Sequence, residues 1–168
     1  MVEQLDSGAH RETANNAPAQ ETVNARVDML GPFRHANEAI DLSAVACTAG
    51  GVDSDAPVSI LAHSAGQIVG IAYKFSANIT AGGATAATVQ ASIAPGGKTP
   101  AAAGDAVAVA SGGSDPQLGV VDQSTPVAFA KGDGLGINLS TSHTFAPTTD
   151  DFDAYLIVRW AASPGAPA

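Results

Sequence analysis

A chain of 168 residues is long enough for one domain with a sizeable core and too short for two, and its single cysteine, Cys47, excludes an intrachain disulfide framework. A formal net charge of −9 with only 7 Lys and Arg leaves too few cations to line a phosphate-binding groove, which excludes nucleic acid as a partner. Aromatic residues make up 5% of a chain that is 45% hydrophobic, so a core must be built from small and β-branched side chains; the longest uncharged run is broken by Gly, Ser and Gln before it could span a membrane.

Residues 1–41 read as an extended N-terminal arm. The opening MVEQLDSGAHRETANN has no basic segment followed by an apolar one, so it is not a signal peptide, and a protein made without export is expected. Val2 and Leu5 are almost the only large hydrophobes before Val23, too few to fold the segment alone. A partner or neighbouring subunit is expected to order it, with Val2, Leu5, Val23, Val27, Met29 and Leu30 as scattered apolar anchors along extended backbone. Residues 42–162 are expected to form the folded domain, and residues 163–168 (SPGAPA) a flexible tail. Cys47 lies in the apolar run 42–49 and is expected to be a packed thiol.

The stretch ILAHSAGQIVG at 60–70 contains Ala62-His63-Ser64-Ala65-Gly66, one substitution from the G-x-S-x-G elbow of α/β-hydrolases. An elbow serine must lead into a helix. The residues after Ser64 instead alternate as a strand, with Val69, Ile71, Tyr73, Phe75, Ala77 and Ile79 on one face and Lys74, Ser76 and Asn78 on the other. Val89, Ala91 and Ile93 repeat the alternation, as do Val107 with Val109 and Val127 with Phe129. Leu135, Ile137 and Leu139 alternate with Gly136, Asn138 and Ser140. In 151–160 both faces are apolar: Phe152, Ala154, Leu156, Val158 and Trp160 on one, Tyr155 and Ile157 with Asp153 and Arg159 on the other. A strand covered on both sides is expected there, one cover being a neighbour.

Every glutamate lies at or before Glu38; the later acids are all aspartates, many beside Gly, Ser or Pro, where a short carboxylate supports turns. Turn signals such as TAGG, PGG, SGGSDP and AKGD separate the apolar runs, and no capped helical stretch stands between them. The expected fold is therefore all-β, an antiparallel sandwich or barrel.

No catalytic or ligand-binding constellation emerges. Asp133 and His143 follow Ser64 in the chain order of a hydrolase triad, but each is explained by turn polarity, and no oxyanion donor loop is recognisable. His10, His35, His63 and His143 lack ligand spacing. Asp53 with Asp55, and Asp150, Asp151 and Asp153, lack the glycine and terminal glutamate of an EF-hand loop. No cofactor or metal is expected, and the chain reads as a non-enzyme.

From Ser64 onward the order of features resembles a module of tailed-phage virion proteins, found in head decoration and fibre-type proteins. The matching elements are Gly66-Gln67-Ile68-Val69-Gly70-Ile71, Thr80-Ala81-Gly82, Thr88-Val89-Gln90-Ala91, Phe129-Ala130-Lys131-Gly132-Asp133-Gly134-Leu135-Gly136, Pro147-Thr148-Thr149 and the final alternating strand. The resemblance implies a jelly-roll-like β-sandwich, often trimeric, displayed on the virion surface. It departs in a long insertion at 98–122, expected as outward loops, and it leaves residues 1–41 unmatched. The function expected on this basis is capsid decoration, with the major capsid protein and further copies of the chain as partners and synthesis in the host cytoplasm. The alternatives are a receptor- or glycan-binding head and, more remotely, a serine hydrolase using Ser64.

Overall fold

The computed structural model describes residues 26–35, 60–148 and 150–161. Val2, Leu5, Val23, His10, Cys47 and the Asp53/Asp55 pair lie outside the described residues, as does the tail. The described residues form eight strands: β1 (Val27–His35), β2 (Ile60–Leu61), β3 (Gly66–Phe75), β4 (Ala87–Ala94), β5 (Ala101–Val109), β6 (Gln117–Phe129), β7 (Gly134–Thr141) and β8 (Phe152–Trp160). They form two antiparallel sheets ordered β1-β8-β3-β6 and β2-β7-β4-β5. The first strand thus lies beside the last, the second beside the seventh, the third beside the sixth and the fourth beside the fifth, which is the doubled Greek key of a jelly roll.

The inner faces meet in one core. Ile68, Ile71 and Phe75 of β3 and Phe152, Leu156 and Val158 of β8 come from one sheet; Val89 and Ala91 of β4 and Leu135, Ile137 and Leu139 of β7 come from the other, all essentially without exposure. Each large side chain so buried contributes about 1.5–3 kcal/mol. Phe75 is a hub, with ring centroids 4.8 Å from Phe152 and 5.8 Å from Phe145.

Three expectations need correction. The arm does not extend to residue 41: Val27–His35 pairs with β8 from Val27↔Arg159 to His35↔Phe152, and Phe33 is buried in the core. Gly31-Pro32 hides this strand, because the register shifts between Leu30 and Phe33 and breaks the alternation. Only glycine fits there, since at φ 141° a Cβ would stand 2.8 Å from the Ala154 carbonyl oxygen. In β3, the register shift between Ile68 and Gly70 turns both Ile68 and Ile71 inward, so Val69 does not share the Ile71 face. That strand also stops at Phe75, where the Ala77 N–H donates to the Asp150 carboxylate (2.8 Å); Ile79 is buried from the loop beyond it. Finally, 98–122 holds β5 and the first half of β6 rather than outward loops.

One side of the sandwich is clasped between its edge strands β5 and β6. Gln123, buried on β6, accepts the Asp105 N–H at 2.6 Å, and the Asp105 carboxylate accepts the Ser124 N–H at 2.6 Å. Gly104, at φ 73°, lets the strands approach, because a Cβ there would collide with the Gln123 carbonyl.

Candidate functional site

Ser64 lies in the turn between β2 and β3, so it is flanked by strands and not by a strand and a helix. Its hydroxyl donates to the adjacent Ala65 carbonyl (3.1 Å). The neighbouring His63 ring packs on Trp160 at 4.1 Å between centroids. Gly66 completes this corner, because a Cβ would stand 2.6 Å from the Arg159 carbonyl oxygen and 2.7 Å from the Phe129 ring. Trp160 itself is buried, edge-on to Phe129, and its indole N–H donates to Asp28 at 2.8 Å.

Asp133 is close to this corner in space, since the Ala62 N–H donates to its backbone carbonyl at 2.8 Å. Its carboxylate, however, accepts the N–H groups of Ala130 (2.7 Å) and Gly96 (2.8 Å), which hold it below the usual carboxylate pKa range. His143 is exposed in the turn after β7. The eight residues of β7 lie between the Asp133 and His143 turns, a span of about 25 Å at a strand's rise per residue. Ser64, Asp133 and His143 therefore do not converge. Of the aspartates around β8, Asp153 pairs with Arg34 at 2.8 Å, while Asp150 accepts the Ala77 N–H and has its pKa raised chiefly by burial. Among the described residues no group of three or more His, Cys, Asp or Glu is placed to hold a metal ion.

The distinctive surface is the outer face of the β1-β8-β3-β6 sheet. Cross-strand register assembles it in rows: Met29 beside Ile157, Gly70 and Asp122, then Tyr155 beside Ala72 and Val120, then Asp153 beside Lys74 and Leu118. Leu118 and Val120 are 62% and 70% exposed, and Met29 is 59% exposed. Between the Tyr155 and Val120 ridges runs an open groove of about 500 Å³ with Ala72 on its floor. On the inner side of the same strand pair Tyr73 packs against the core and crosses the backbone of Gly119, where any Cβ would strike the phenol ring, and burial raises that phenol's pKa. Lys74, Arg159 and the Arg34–Asp153 pair border the apolar area.

Of the expected anchors, the structure brings Val27 and Met29 to the edge of this face, both exposed, while Leu30 packs against the core. Leu118 and Val120 had no signal beyond being apolar within an expected insertion, but Tyr155 and Ile157 were marked by the two apolar faces of β8. A scan of protein-family models finds none that matches the chain, and a search of curated proteins finds no match.

Proposed function

We propose that the chain is a structural, non-enzymatic protein of a virus surface: a capsid decoration protein that self-associates, as a homotrimer by the resemblance, and holds the major capsid protein through the segment preceding β1. The observation that carries this reading is the large apolar outer face of a jelly-roll sheet. Jelly rolls serve capsid and lectin domains alike, so the fold does not choose between roles. The grouping of the exposed Met29, Leu118 and Val120 on one sheet face does favour a protein-binding role, because clustered apolar side chains rimmed by polar ones mark interaction sites. The chemistry on hand also supports it, since Ser64, Asp133 and His143 each have a local backbone or turn role and do not converge.

The test is removal of residues 1–25. Val27 begins β1, so the truncated chain retains every described strand. It is expected to fold with unchanged circular dichroism and to lose binding to undecorated capsids; unchanged capsid affinity would refute the assignment. A glycan-binding head would place aromatic rings at loop tips for sugar stacking. Here Trp160 is 7% exposed and covered by His63, and Tyr73 and Tyr155 lie within strands.

A further inference from the structure

We infer that the outer face of the β1-β8-β3-β6 sheet is the contact through which two copies of this chain pair, about a twofold axis running along the strands between β8 and β3. The two central strands carry complementary rows. β8 presents Asp153, Tyr155 and Ile157, while β3 presents, in register, Lys74, Ala72 and Gly70. Large side chains thus stand beside small ones, and an acid beside a base.

A twofold axis parallel to the strands keeps each row level and exchanges its two sides, laying β8 of one copy over β3 of the other. Tyr155 then meets the floor of the second copy's groove at Ala72, and Asp153 meets its Lys74. At the margins, the exposed Val120 and Leu118 of β6 lie over the second copy's β1 at Gly31-Pro32 and Arg34. An axis perpendicular to the strands would instead stack Tyr155 on its own counterpart and press the Asp153 carboxylate against Ile157, burying a charge on an apolar side chain. The parallel axis does set Asp122 of β6 opposite Met29 of the second copy's β1, at the exposed margin, but the perpendicular axis sets Asp122 against Leu118 as well as Asp153 against Ile157, so the central rows favour the parallel arrangement.

The area suffices. Four strands spaced at about 4.8 Å and about nine residues long give a face of roughly 20 by 30 Å, or about 600 Å² before side-chain relief. Stable interfaces bury about 800 Å² per partner. Twisted sheets packed face to face at about 30° accommodate the arrangement. The contact is isologous and cannot close a ring of three, so a threefold assembly would form through other surfaces and an assembly using both would contain an even number of chains. The pairing does not depend on the decoration reading.

The experiment is sedimentation velocity with native mass spectrometry on the full chain. An even-numbered species is expected for the wild type. The double variant Leu118→Lys/Val120→Lys, altered only at exposed positions, should show half that mass and a dissociation constant raised at least ~10-fold, with an unchanged monomer circular dichroism spectrum. Register is read separately by charge exchange. Lys74→Glu and Asp153→Lys should each weaken self-association, because like charges then face each other across the axis. Mixed together they should recover a 1:1 heterodimer, in which each face carries the other's complement. The Arg34–Asp153 pair lost in one variant is exposed and worth little by itself. A wild type that stays monomeric at high micromolar concentration, an odd-numbered species indifferent to these substitutions, or a mixture that fails to recover would overturn the inference.

Discussion

On the β2-β7-β4-β5 sheet, the side chains turned away from the core include Thr88 and Gln90 of β4 and Asn138 and Ser140 of β7, with Leu61 of β2 as its one exposed large hydrophobe among the described residues. On the β1-β8-β3-β6 sheet they are Met29, Tyr155, Ile157, Ala72, Leu118 and Val120, bordered by the charged Arg34, Asp153, Lys74, Asp122 and Arg159. Both sheets bury Ile, Leu or Val side chains in the shared core, and the β1-β8-β3-β6 sheet adds Phe33, Phe75, Phe129 and Phe152, so folding alone accounts for their inner faces. It does not account for the exposed Met29, Leu118 and Val120 grouped on the β1-β8-β3-β6 sheet. Half-buried sheets ordinarily turn polar residues outward, and the first sheet largely does so; the second groups apolar side chains at the centre of its outer face.

The contrast can be broken or sharpened in four ways. The largest effect belongs to the common core: Phe75→Ala should cost about 3–5 kcal/mol in denaturant unfolding, destabilising both sheets together, because Phe75 packs on Phe152 of its own sheet and on Phe145 in the loop joining the two sheets. Next is the clasp between the sheets. Gly104→Ala should cost about 1–3 kcal/mol, whereas Gly112→Ala, also at positive φ but with open space around it, should cost only about 1 kcal/mol.

The outer faces themselves should respond in association and hardly in stability. Leu118→Lys/Val120→Lys should change the unfolding free energy of the monomer by no more than about 0.5 kcal/mol while disrupting self-association. Ser140→Lys, also exposed but on the other sheet, should leave both unchanged. Equal effects of the two sets on association would erase the distinction between the faces.

The smallest effects are in pH dependence, and the two ends of the sandwich should differ in sign. Asp133 has a lowered pKa, so the folded protein releases this proton more readily than the unfolded chain. Its stabilisation is complete above the ordinary carboxylate pKa of about 3.9 and is lost as pH falls through the lower folded value. Asp150, at the other end, has a raised pKa, so the folded protein holds this proton more tightly and gains stability as pH falls through that value. Thermal melts between about pH 7 and pH 3 should show Asp133→Asn losing stability near neutrality and flattening the acid decline. Asp150→Asn should instead gain stability near neutrality, because it removes a buried charge while keeping an acceptor for the Ala77 N–H.

Much of this architecture was legible in the chain. Leu135, Ile137 and Leu139 alternate through β7, and Asp-Gly and Gly-Gly turns bound the strands, so the all-β sandwich followed from period and punctuation. β1 was not legible, because Gly31-Pro32 interrupts its pattern and a bulge resets its parity only when β8 is alongside. The face of Val69 was misread for the same reason, since one extra residue inverts every later side chain and leaves no local mark. Ser64 shows the opposite failing: a short motif suggested chemistry that its flanking strands do not support. At the outer face, Tyr155 and Ile157 gave a signal as a second apolar side of β8, but Leu118 and Val120 looked like ordinary isolated hydrophobes.

By itself the sequence determined that β3, β4, β7 and β8 are strands, where they turn, and that one face of each is buried, because these depend on side-chain period and local backbone preference. Which strands are neighbours was decided only in three dimensions. The pairings of β1 with β8 and of β3 with both β6 and β8 join residues far apart in the chain, selected by the fit of whole inner faces around a common core. That same pairing sets Ala72 between Tyr155 and Val120 and so turns three ordinary residues into one surface.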